Sequence, residues 1–352
     1  DFFDRSSICH LPAHQEEKPG LFLQHMSLLN TKSLSIGYRK GSESKILQKD
    51  INLSINEGEI ISLMGQNGVG KTTFIKTLAG LLDPIRGSVH YGKQDLSRIS
   101  SGDLARKMSL VLTEKPFNFN ITPIELISIS RHPYSNWIGV LSPRDKEVIE
   151  WALNETHLNY IANRKLYELS DGQLQKVMIA RALAQETELI ILDEPASHLD
   201  LNNKIEVMML LKKIASQGKG ILISTHDLQV STQLSDRLLL FNFNEATNEG
   251  VPEDLILDGT LQKSLYLDQY GYDMISGTIN FDQKGPSVSV SGDPDTKFWA
   301  TMALKRKGYT VNDANKKVQI ICSAKNHFEI LHDKKKQVIN SIEALLKNLT
   351  SI

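Results

Sequence analysis

The sequence predicts an α/β fold: a parallel sheet with a helical insert, followed by a small C-terminal α/β domain. Three observations lead to this prediction. Short apolar runs alternate with helical patterns from about residue 28 to residue 243. A glycine-rich loop at residues 65–72 stands between an apolar run and a helical pattern. A separate strand and helix pattern follows residue 284, and 352 residues are enough for about two domains.

The clearest predicted strands are three apolar runs, at residues 60–64, 189–192 and 221–223. Because they are apolar on both faces, they are typical of strands buried inside a parallel sheet. Polar residues follow each run, at the sheet edge where ligands bind in such folds. Apolar residues recur with helical spacing between about residues 121 and 181, which predicts a helical insert in this domain.

We divide the sequence into four segments on this basis. Residues 1–27 are interpreted as an N-terminal tail, either vector-derived or disordered, and are left out of the fold prediction. Residues 28–250 form the main domain, with its helical insert at about residues 121–181. Residues 251–283 connect this domain to the small C-terminal domain, residues 284–352.

In the C-terminal domain, the pattern predicts a strand at residues 288–290, a helix from about Asp295, a strand at 318–321 and a last helix whose apolar face begins at Val338. From residue 284 onward, 12 Lys and Arg outnumber 6 Asp and Glu. We interpret this domain as a packing or dimer-stabilising module. Regulation of the main domain and contact with an anionic membrane leaflet are the alternatives.

Composition excludes several classes of protein. The 40 Lys and Arg nearly balance the 41 Asp and Glu, so no overall charge draws the chain to nucleic acid. Two cysteines allow no disulfide framework beyond one pair, which favours a reducing compartment such as the cytoplasm. No apolar run approaches the roughly 18 residues of a membrane-spanning helix, and the N-terminus lacks the apolar centre of a secretory signal.

Residues 65–72, Gly-Gln-Asn-Gly-Val-Gly-Lys-Thr, match the eight-position pattern of a phosphate-binding loop. Glycines let backbone N–H groups approach a polyphosphate, the lysine reaches the terminal phosphates, and the threonine hydroxyl can hold magnesium. We therefore predict a nucleotide site made of Gly65, Gln66, Asn67, Gly68, Gly70, Lys71, Thr72 and Thr73.

Two acidic residues and a histidine follow other predicted strands. Asp193 comes directly after the strand at 189–192, where a magnesium ligand is expected. A carboxylate at the next position, Glu194, can orient and deprotonate the attacking water. His226 follows the strand at 221–223 and is placed to contact the γ-phosphate, although a structural histidine is the alternative interpretation.

Ser170, Asp171, Gly172 and Gln173 begin a predicted helix. Ser170 with Gln173 three positions later has the pattern of a capping box. The same helix end also presents N–H donors and a positive dipole to an anion. Because the chain already has a phosphate-binding loop, a second anion-binding helix end makes sense if it serves the nucleotide held by another copy.

In this order, the motifs resemble those of the ATP-binding subunit of an ATP-binding cassette (ABC) transporter, over roughly residues 28–250. The family's phosphate loop corresponds to Gly65–Thr73, its signature to Leu169–Gln173, and its second nucleotide motif to Leu189–Glu194. The signature carries Asp171 where glycine is commoner. The resemblance implies a P-loop NTPase fold of the ABC-cassette type.

Further residues take their expected roles from this resemblance. Asp200 lies in the loop that joins the two catalytic halves, called the D-loop, and His226 corresponds to the switch histidine. Tyr38 corresponds to the aromatic residue that stacks on adenine, although strand aromatics are common for other reasons. Glu114 stands where the family usually has a magnesium-contacting glutamine, so the expected metal ligands are Thr72, Asp193 and Glu114.

The resemblance also implies cofactors and partners. Two copies, or this chain and a paralogue, would close head to tail over two ATP molecules with Mg²⁺. Each nucleotide would lie between Lys71 of one chain and Ser170 and Gly172 of the other. Separate transmembrane permease subunits would follow that motion, with a substrate-binding protein acting indirectly. The expected location is the cytoplasm, peripheral on the inner face of the cell membrane.

The cargo is suggested by residues 131–145, which are similar to the insert in ATPases of iron-siderophore, haem and vitamin B12 importers. A soluble cassette ATPase that acts on ribosomes or DNA is one alternative, and the ATPase of an exporter is another. The single phosphate loop, the acidic main domain and the absence of a long basic arm in the sequence favour the importer.

Overall fold

The computed structural model describes residues 27–41, 43–113, 120–134, 140–197, 199–243, 245–274, 277–279, 285–312, 317–325, 327–333 and 335–349. Two compact units are found, one within residues 1–64 and 68–237 and the other within residues 65–67 and 238–352. The predicted N-terminal tail lies outside the described residues, apart from Ser27. Among the described helices, none is long and apolar enough to cross a membrane.

The strands of the first unit are β1 (Ser27–Lys40), β2 (Glu43–Ile51), β3 (Ser54–Asn56), β4 (Ile60–Gly65), β5 (Arg86–Tyr91), β6 (Gln94–Asp95), β7 (Met108–Val111), β8 (Leu189–Asp193) and β9 (Gly220–Ser224). Strand β8 pairs with β7 on one side and β9 on the other, and β9 pairs with β4, all in parallel. Every residue of β4, β8 and β9 is buried. The predicted parallel sheet is thus confirmed, and β4, β8 and β9 end at the same edge.

A second, antiparallel sheet was not predicted from the sequence. The 14-residue strand β1 pairs with β2, β3 and β5, and β5 pairs with β6. These strands alternate buried and exposed residues irregularly, and β1 changes register at several points. The period-2 pattern that would have identified them is therefore interrupted.

The helices of the first unit are α1 (Lys71–Leu78), α2 (Ser101–Lys107), α3 (Pro123–Ile129), α4 (Pro143–Glu155), α5 (Asp171–Ala184), α6 (Leu201–Ser216) and α7 (Leu228–Leu234). Helices α3, α4 and α5 pack against each other and account for the predicted helical insert. Capping boxes begin α3 at Thr122 and α4 at Ser142, where each hydroxyl accepts a backbone N–H and a proline supplies the first turn.

The buried side chain of Arg131 joins the elements of the helical insert through hydrogen bonds and ion pairs. The Nε atom of Arg131 donates to Oδ1 of Asp145 at 2.8 Å, and Nη1 donates to the carbonyl of Ala184 at 2.7 Å and to Oε2 of Glu186 at 2.8 Å. Its guanidinium also lies 4.2 Å from the ring centre of Tyr134. Part of the stretch that suggested the cargo therefore joins α3, α4 and the end of α5, whereas residues 135–139 lie outside the described residues.

The remaining elements are β10 (Arg237–Phe241), β11 (Asn248–Gly250), α8 (Pro252–Leu257), α9 (Thr260–Ser264), β12 (Tyr272–Asp273), β13 (Thr278–Ile279), β14 (Ser287–Gly292), α10 (Pro294–Arg306), β15 (Thr310–Val311), β16 (Val318–Ala324), β17 (His327–His332), β18 (Lys335–Ile339) and α11 (Ile342–Leu349). The last five strands form a sheet in the order β15-β14-β16-β17-β18. One apolar core includes residues of α10, α11 and this sheet, among them Leu304, Phe328 and Leu345.

The predicted last helix begins too early. Val338 and Ile339 lie at the end of β18, where they pair with β17, and α11 begins at Ile342. The hydroxyl of Ser341 accepts the N–H of Ala344 at 3.1 Å and so marks the start of the helix. Ile339 at the end of the strand and Leu345 and Leu349 of the helix bury the same core, so a single helical period matched both elements.

Candidate active site

The phosphate-binding loop leads from β4 into α1, as the sequence predicts. Gly68 and Gly70 have φ angles of 81° and 114°, a region that residues with a Cβ atom rarely adopt. Gly70 occupies the N-cap position of α1 in this left-handed conformation. Glycine is therefore required where the chain turns from the loop into the helix, and backbone N–H groups are available there for an anion.

Lys71 is buried, with 7% of its side chain exposed, and its Nζ atom lies 3.9 Å from Oε1 of Glu194. Burial lowers the pKa of Lys71, while the nearby carboxylates of Glu194 and Asp193 oppose that shift. A partly desolvated ammonium group beside the loop is a strong electrostatic partner for a polyphosphate.

Thr72 and Asp193 meet at the ends of two different elements. The Thr72 hydroxyl donates to Oδ2 of Asp193 at 2.8 Å, and the Ser224 hydroxyl donates to Oδ1. The Thr113 hydroxyl donates to the Asp193 carbonyl at 2.9 Å. A hydroxyl and a carboxylate are the hard oxygen ligands that Mg²⁺ prefers, and this pair leaves further coordination positions for phosphate and water. The donor set therefore fits this ion.

Glu194 adopts a strained backbone conformation with a φ angle of 51°. Its N–H group donates to the hydroxyl of Ser224 at 2.9 Å and to the Ser224 carbonyl at 3.1 Å. Its Oε2 atom lies 2.7 Å from Nδ1 of His226, within hydrogen-bonding distance. Contacts with β9 thus hold Glu194 between Lys71 of the phosphate-binding loop and His226.

Tyr38 reaches the same helix from the antiparallel sheet. Its hydroxyl lies 2.8 Å from Oγ1 of Thr73, within hydrogen-bonding distance. The Tyr38 side chain is 52% exposed, so a face of the ring is accessible to a planar ligand. The predicted stacking role and a bond that fixes α1 are compatible, because one uses the ring and the other the hydroxyl.

The predicted capping box at the signature is confirmed. The Ser170 hydroxyl accepts the N–H of Gln173 at 3.2 Å, and the Gln173 side chain accepts the N–H of Ser170 at 3.0 Å. Ser170 and Asp171 are exposed, and Asp171 places a carboxylate in the first turn of α5. The Gln173 amide also donates to the hydroxyl of Tyr160 at 3.0 Å.

Gly172 of the signature lies against Asn203 of α6, which is bonded to Asp200 of the D-loop, and the sequence did not suggest this approach. Asp200 is the N-cap of α6 and accepts the backbone N–H of Asn203 at 2.8 Å and its side-chain amide at 2.9 Å. These bonds lower the pKa of Asp200. A Cβ atom at Gly172 would lie 2.6 Å from Cγ of Asn203. Glycine at this position therefore lets α5 and α6 approach closely.

The structure thus brings Lys71, Thr72, Asp193, Glu194 and His226 together. Glu114 lies outside the described residues.

Sequence reasoning did not identify Thr113, Ser224 or Asn203. Ser224 ends β9, and Thr113 follows β7 by two positions. Polar side chains at the ends of buried strands could therefore have identified both residues from the sequence. Asn203 gave no such signal, because its role depends on how α5 and α6 pack.

A loop of this kind at the end of a parallel strand, with a lysine on its helix and acidic residues at the end of β8 in the same sheet, defines a P-loop nucleoside triphosphatase. Residues 48–197 match the family model described as ABC transporter, and residues 284–350 match that of the iron ABC transporter C-terminal domain. The chain belongs to the ABC transporter ATP-binding family and is an ATPase.

Curated relatives support this assignment. The achromobactin transport ATP-binding protein of Dickeya dadantii is 34% identical over 242 residues, covering 68% of this chain and 88% of the relative. The iron(3+)-hydroxamate import ATP-binding protein of Bacillus subtilis is 34% identical over 244 residues, covering 69% and 89%. A solved dimeric bacterial ABC transporter cassette matches with a TM-score of 0.57 and 28% identity, covering 64% of this chain and 98% of that structure.

Proposed function

We propose that this chain is the ATP-hydrolysing motor of a membrane importer for an iron-siderophore, haem or cobalamin. The observation that carries the proposal is the match of residues 284–350 to a C-terminal domain of iron ABC transporters. Relatives whose names specify achromobactin transport and iron(3+)-hydroxamate import support the same class of cargo. We also propose that residues 28–250 are the ATPase domain and residues 284–352 a separate C-terminal domain.

In the proposed hydrolysis step, Lys71 and the loop N–H groups hold the terminal phosphates of ATP. The Glu194 carboxylate accepts a proton from water while the water oxygen bonds to the γ-phosphorus and the bond to the ADP oxygen breaks. His226, 2.7 Å from Glu194, fixes the direction of that carboxylate. Proton transfer to a positioned base contributes on the order of 10²–10⁴ in rate.

Thr72 and Asp193, whose side chains are 2.8 Å apart, are the proposed ligands for Mg²⁺. The ion would neutralise phosphate charge and hold the β- and γ-phosphates in place. Glu114 is the third proposed ligand for Mg²⁺, at the position where ABC transporter ATPases usually have a glutamine.

The signature supports a head-to-tail dimer, formed with a second copy or a paralogue. Ser170 and Asp171 are exposed at the start of α5, so their end of the helix is accessible to a nucleotide held by another subunit. Gly172, Gln173 and Asp200 would position that helix end. ATP would then hold the two subunits together until its γ-phosphate is removed.

An open cavity of about 330 Å³ in the first unit supports docking of a permease helix. Its lining is about equally polar and apolar, and the apolar part comes from the loop after α1, the segment before α2, α2 itself and β7: Leu81, Leu96, Ile99, Leu104, Met108 and Leu110. Leu81 is 59% exposed. Because β7 also leads to Thr113, a helix seated in this groove would lie near the start of the chain segment that carries Glu114. We propose on this basis that the chain works on the cytoplasmic face of the membrane, with a substrate-binding protein acting through the permease.

The proposal is tested in the organism that encodes the chain. Deletion of its gene should abolish uptake of one class among ⁵⁵Fe-siderophore, haem and cobalamin, and the wild-type gene should restore it while Glu194→Gln should not. A polytopic membrane protein should co-purify with the tagged chain from gently solubilised membranes. Unchanged uptake of all three classes, or co-purification with ribosomes or DNA, would contradict the proposal.

A further inference from the structure

Helix α10 of the C-terminal domain has two different sides. Thr296, Ala300, Ala303 and Leu304 are buried. On the other side, Phe298 is 40% exposed and Trp299 is 62% exposed, and their rings meet edge to face with centroids 5.3 Å apart. Two large aromatic side chains on one exposed turn are unusual for a surface that meets only water.

The charges on this side are separated along the helix. Asp295 lies in the first turn and Arg306 in the last turn, and Met302 is half-buried between them. Arg306 lies eleven positions after Asp295, which is about three helical turns, so both lie on the same side as Trp299. We call Asp295, Phe298, Trp299, Met302 and Arg306 the outer α10 face.

The outer α10 face is complementary to itself. If two copies of α10 cross antiparallel about an axis between residues 300 and 301, Asp295 of each copy faces Arg306 of the other. Trp299 of each copy then faces Met302 of the other, a favourable pairing of a thioether with an aromatic ring. A parallel arrangement would instead set Asp295 against its own equivalent and Arg306 against its own, which is repulsive.

We propose that the outer α10 face binds the same face of a second copy of this chain. This pairing does not require nucleotide and is therefore separate from dimerisation over ATP. One helix face is small compared with the roughly 800 Å² per partner of a stable interface, so the pairing is weak in isolation. Its effect is to keep two ATPase domains at high effective concentration between rounds of hydrolysis.

The test uses the full chain, freed of nucleotide with apyrase and EDTA, in sedimentation equilibrium. The wild-type chain should show a reversible monomer–dimer equilibrium. Trp299→Ala and Arg306→Glu should each weaken it by at least about tenfold. The charge swap, Asp295→Arg with Arg306→Glu, should restore most of the loss. Lys307→Glu is the matched control, because it makes the same charge change at the same helix end but off this face, and it should leave the equilibrium unchanged.

Several outcomes would overturn the inference. A wild-type chain that stays monomeric up to about 100 µM would do so, as would Trp299→Ala with wild-type association or a charge swap that restores nothing. Pairing that appears only after removal of residues 1–26 would show that the chain's own N-terminus covers the face. A monomer that binds anionic vesicles through Trp299 would show that a membrane covers the outer α10 face instead. Far-ultraviolet circular dichroism confirms that each variant is folded.

The outcome is distinguishable from that of the proposed function. Dimerisation over ATP is measured separately, with the Glu194→Gln variant and Mg-ATP. If that variant forms no ATP-dependent dimer but nucleotide-free pairing still depends on Trp299, the inference holds while the head-to-tail mechanism fails.

Discussion

The Nδ1 atom of His226 lies 2.7 Å from Oε2 of Glu194, while Oε1 of the same carboxylate lies 3.9 Å from Nζ of Lys71. One carboxylate therefore connects the phosphate-binding loop with the end of β9. A γ-phosphate bound at the loop would compete with Glu194 for the Lys71 ammonium group, because it carries more negative charge. Binding of ATP would thus release one side of Glu194 for water while His226 still holds the other.

Glu194→Gln should abolish ATP turnover, with a loss of about 10²–10⁴-fold in kcat, while ATP still binds. The amide keeps the size of the side chain but accepts no proton. Phosphate release and size-exclusion chromatography with Mg-ATP check the two effects, and the variant should elute as a dimer. Hydrolysis at the wild-type rate would show that another group is the base.

Lys71→Ala should weaken ATP binding itself by at least about tenfold, because the buried ammonium group is a main cationic partner of the phosphates. Equilibrium binding of a fluorescent ATP analogue measures this change. Lys93→Ala removes an exposed lysine in the same unit and serves as the control. Equal affinities for the two variants would exclude the assigned role of Lys71.

Substitutions at Tyr38 separate its ring from its hydroxyl. Tyr38→Ala should weaken nucleotide binding by about 1–3 kcal/mol, since base stacking on an aromatic ring is lost. Tyr38→Phe keeps the ring and loses only the contact of 2.8 Å with Thr73, so its affinity should stay close to that of the wild type. Isothermal titration with ATP and with inorganic triphosphate makes the distinction, because triphosphate affinity should be unaffected in both variants.

Gly172→Ala should reduce ATP turnover by about tenfold, because the new Cβ atom meets the Asn203 side chain and displaces the start of α5. Asn203→Ala removes the obstructing atoms but keeps the backbone N–H bond to Asp200. The double variant should therefore recover most of the activity. Failure of the second substitution to rescue the first would mean that the signature needs glycine for contact with the nucleotide instead.

Asp145→Ala should lower the free energy of unfolding by about 1.5–3 kcal/mol, because it removes one of the two carboxylates that pair with the buried Arg131 guanidinium. The side chains of this pair are only 3% and 4% exposed. Urea denaturation measures the loss. Glu147→Ala, which removes a carboxylate that is 70% exposed in the same helix, should change the value by less than about 1 kcal/mol. Similar losses in both variants would show that the buried pair stabilises the fold no more than an exposed carboxylate does.

The same pair predicts a pH dependence. Burial raises the pKa of Asp145, but hydrogen bonds from Ser142 and Arg131 outweigh it and leave the pKa below its ordinary value. A carboxyl group with a lowered pKa stabilises the folded state fully above its unfolded pKa of about 4 and loses that contribution as the pH falls through the folded value. Asp145→Ala should therefore reduce the slope of stability against pH below about pH 4 in urea titrations. An unchanged slope would contradict the lowered pKa.

The sequence by itself determined the nucleotide chemistry and the parallel sheet. The phosphate-binding function of residues 65–72 can be predicted from the sequence, because it depends on local backbone geometry and residue type. The capping box of Ser170 and Gln173 is local for the same reason. Asp193 and Glu194 follow a strand so apolar that its burial, and the edge at which it ends, could be predicted.

Only the tertiary structure decided which distant residues meet. Ser224 joins Asp193 and Glu194, and Asn203 lies against Gly172, because strand order and helix packing bring together positions 30 or 31 residues apart. The antiparallel sheet and the boundary between β18 and α11 also became clear only from the tertiary structure. The conformation of short elements with mixed polar and apolar patterns depends on which other elements pack against them. The periodicity of apolar residues in a segment indicates which of its residues are buried. Contacts between distant residues depend on how strands and helices pair, and the sequence of a single segment does not encode that pairing.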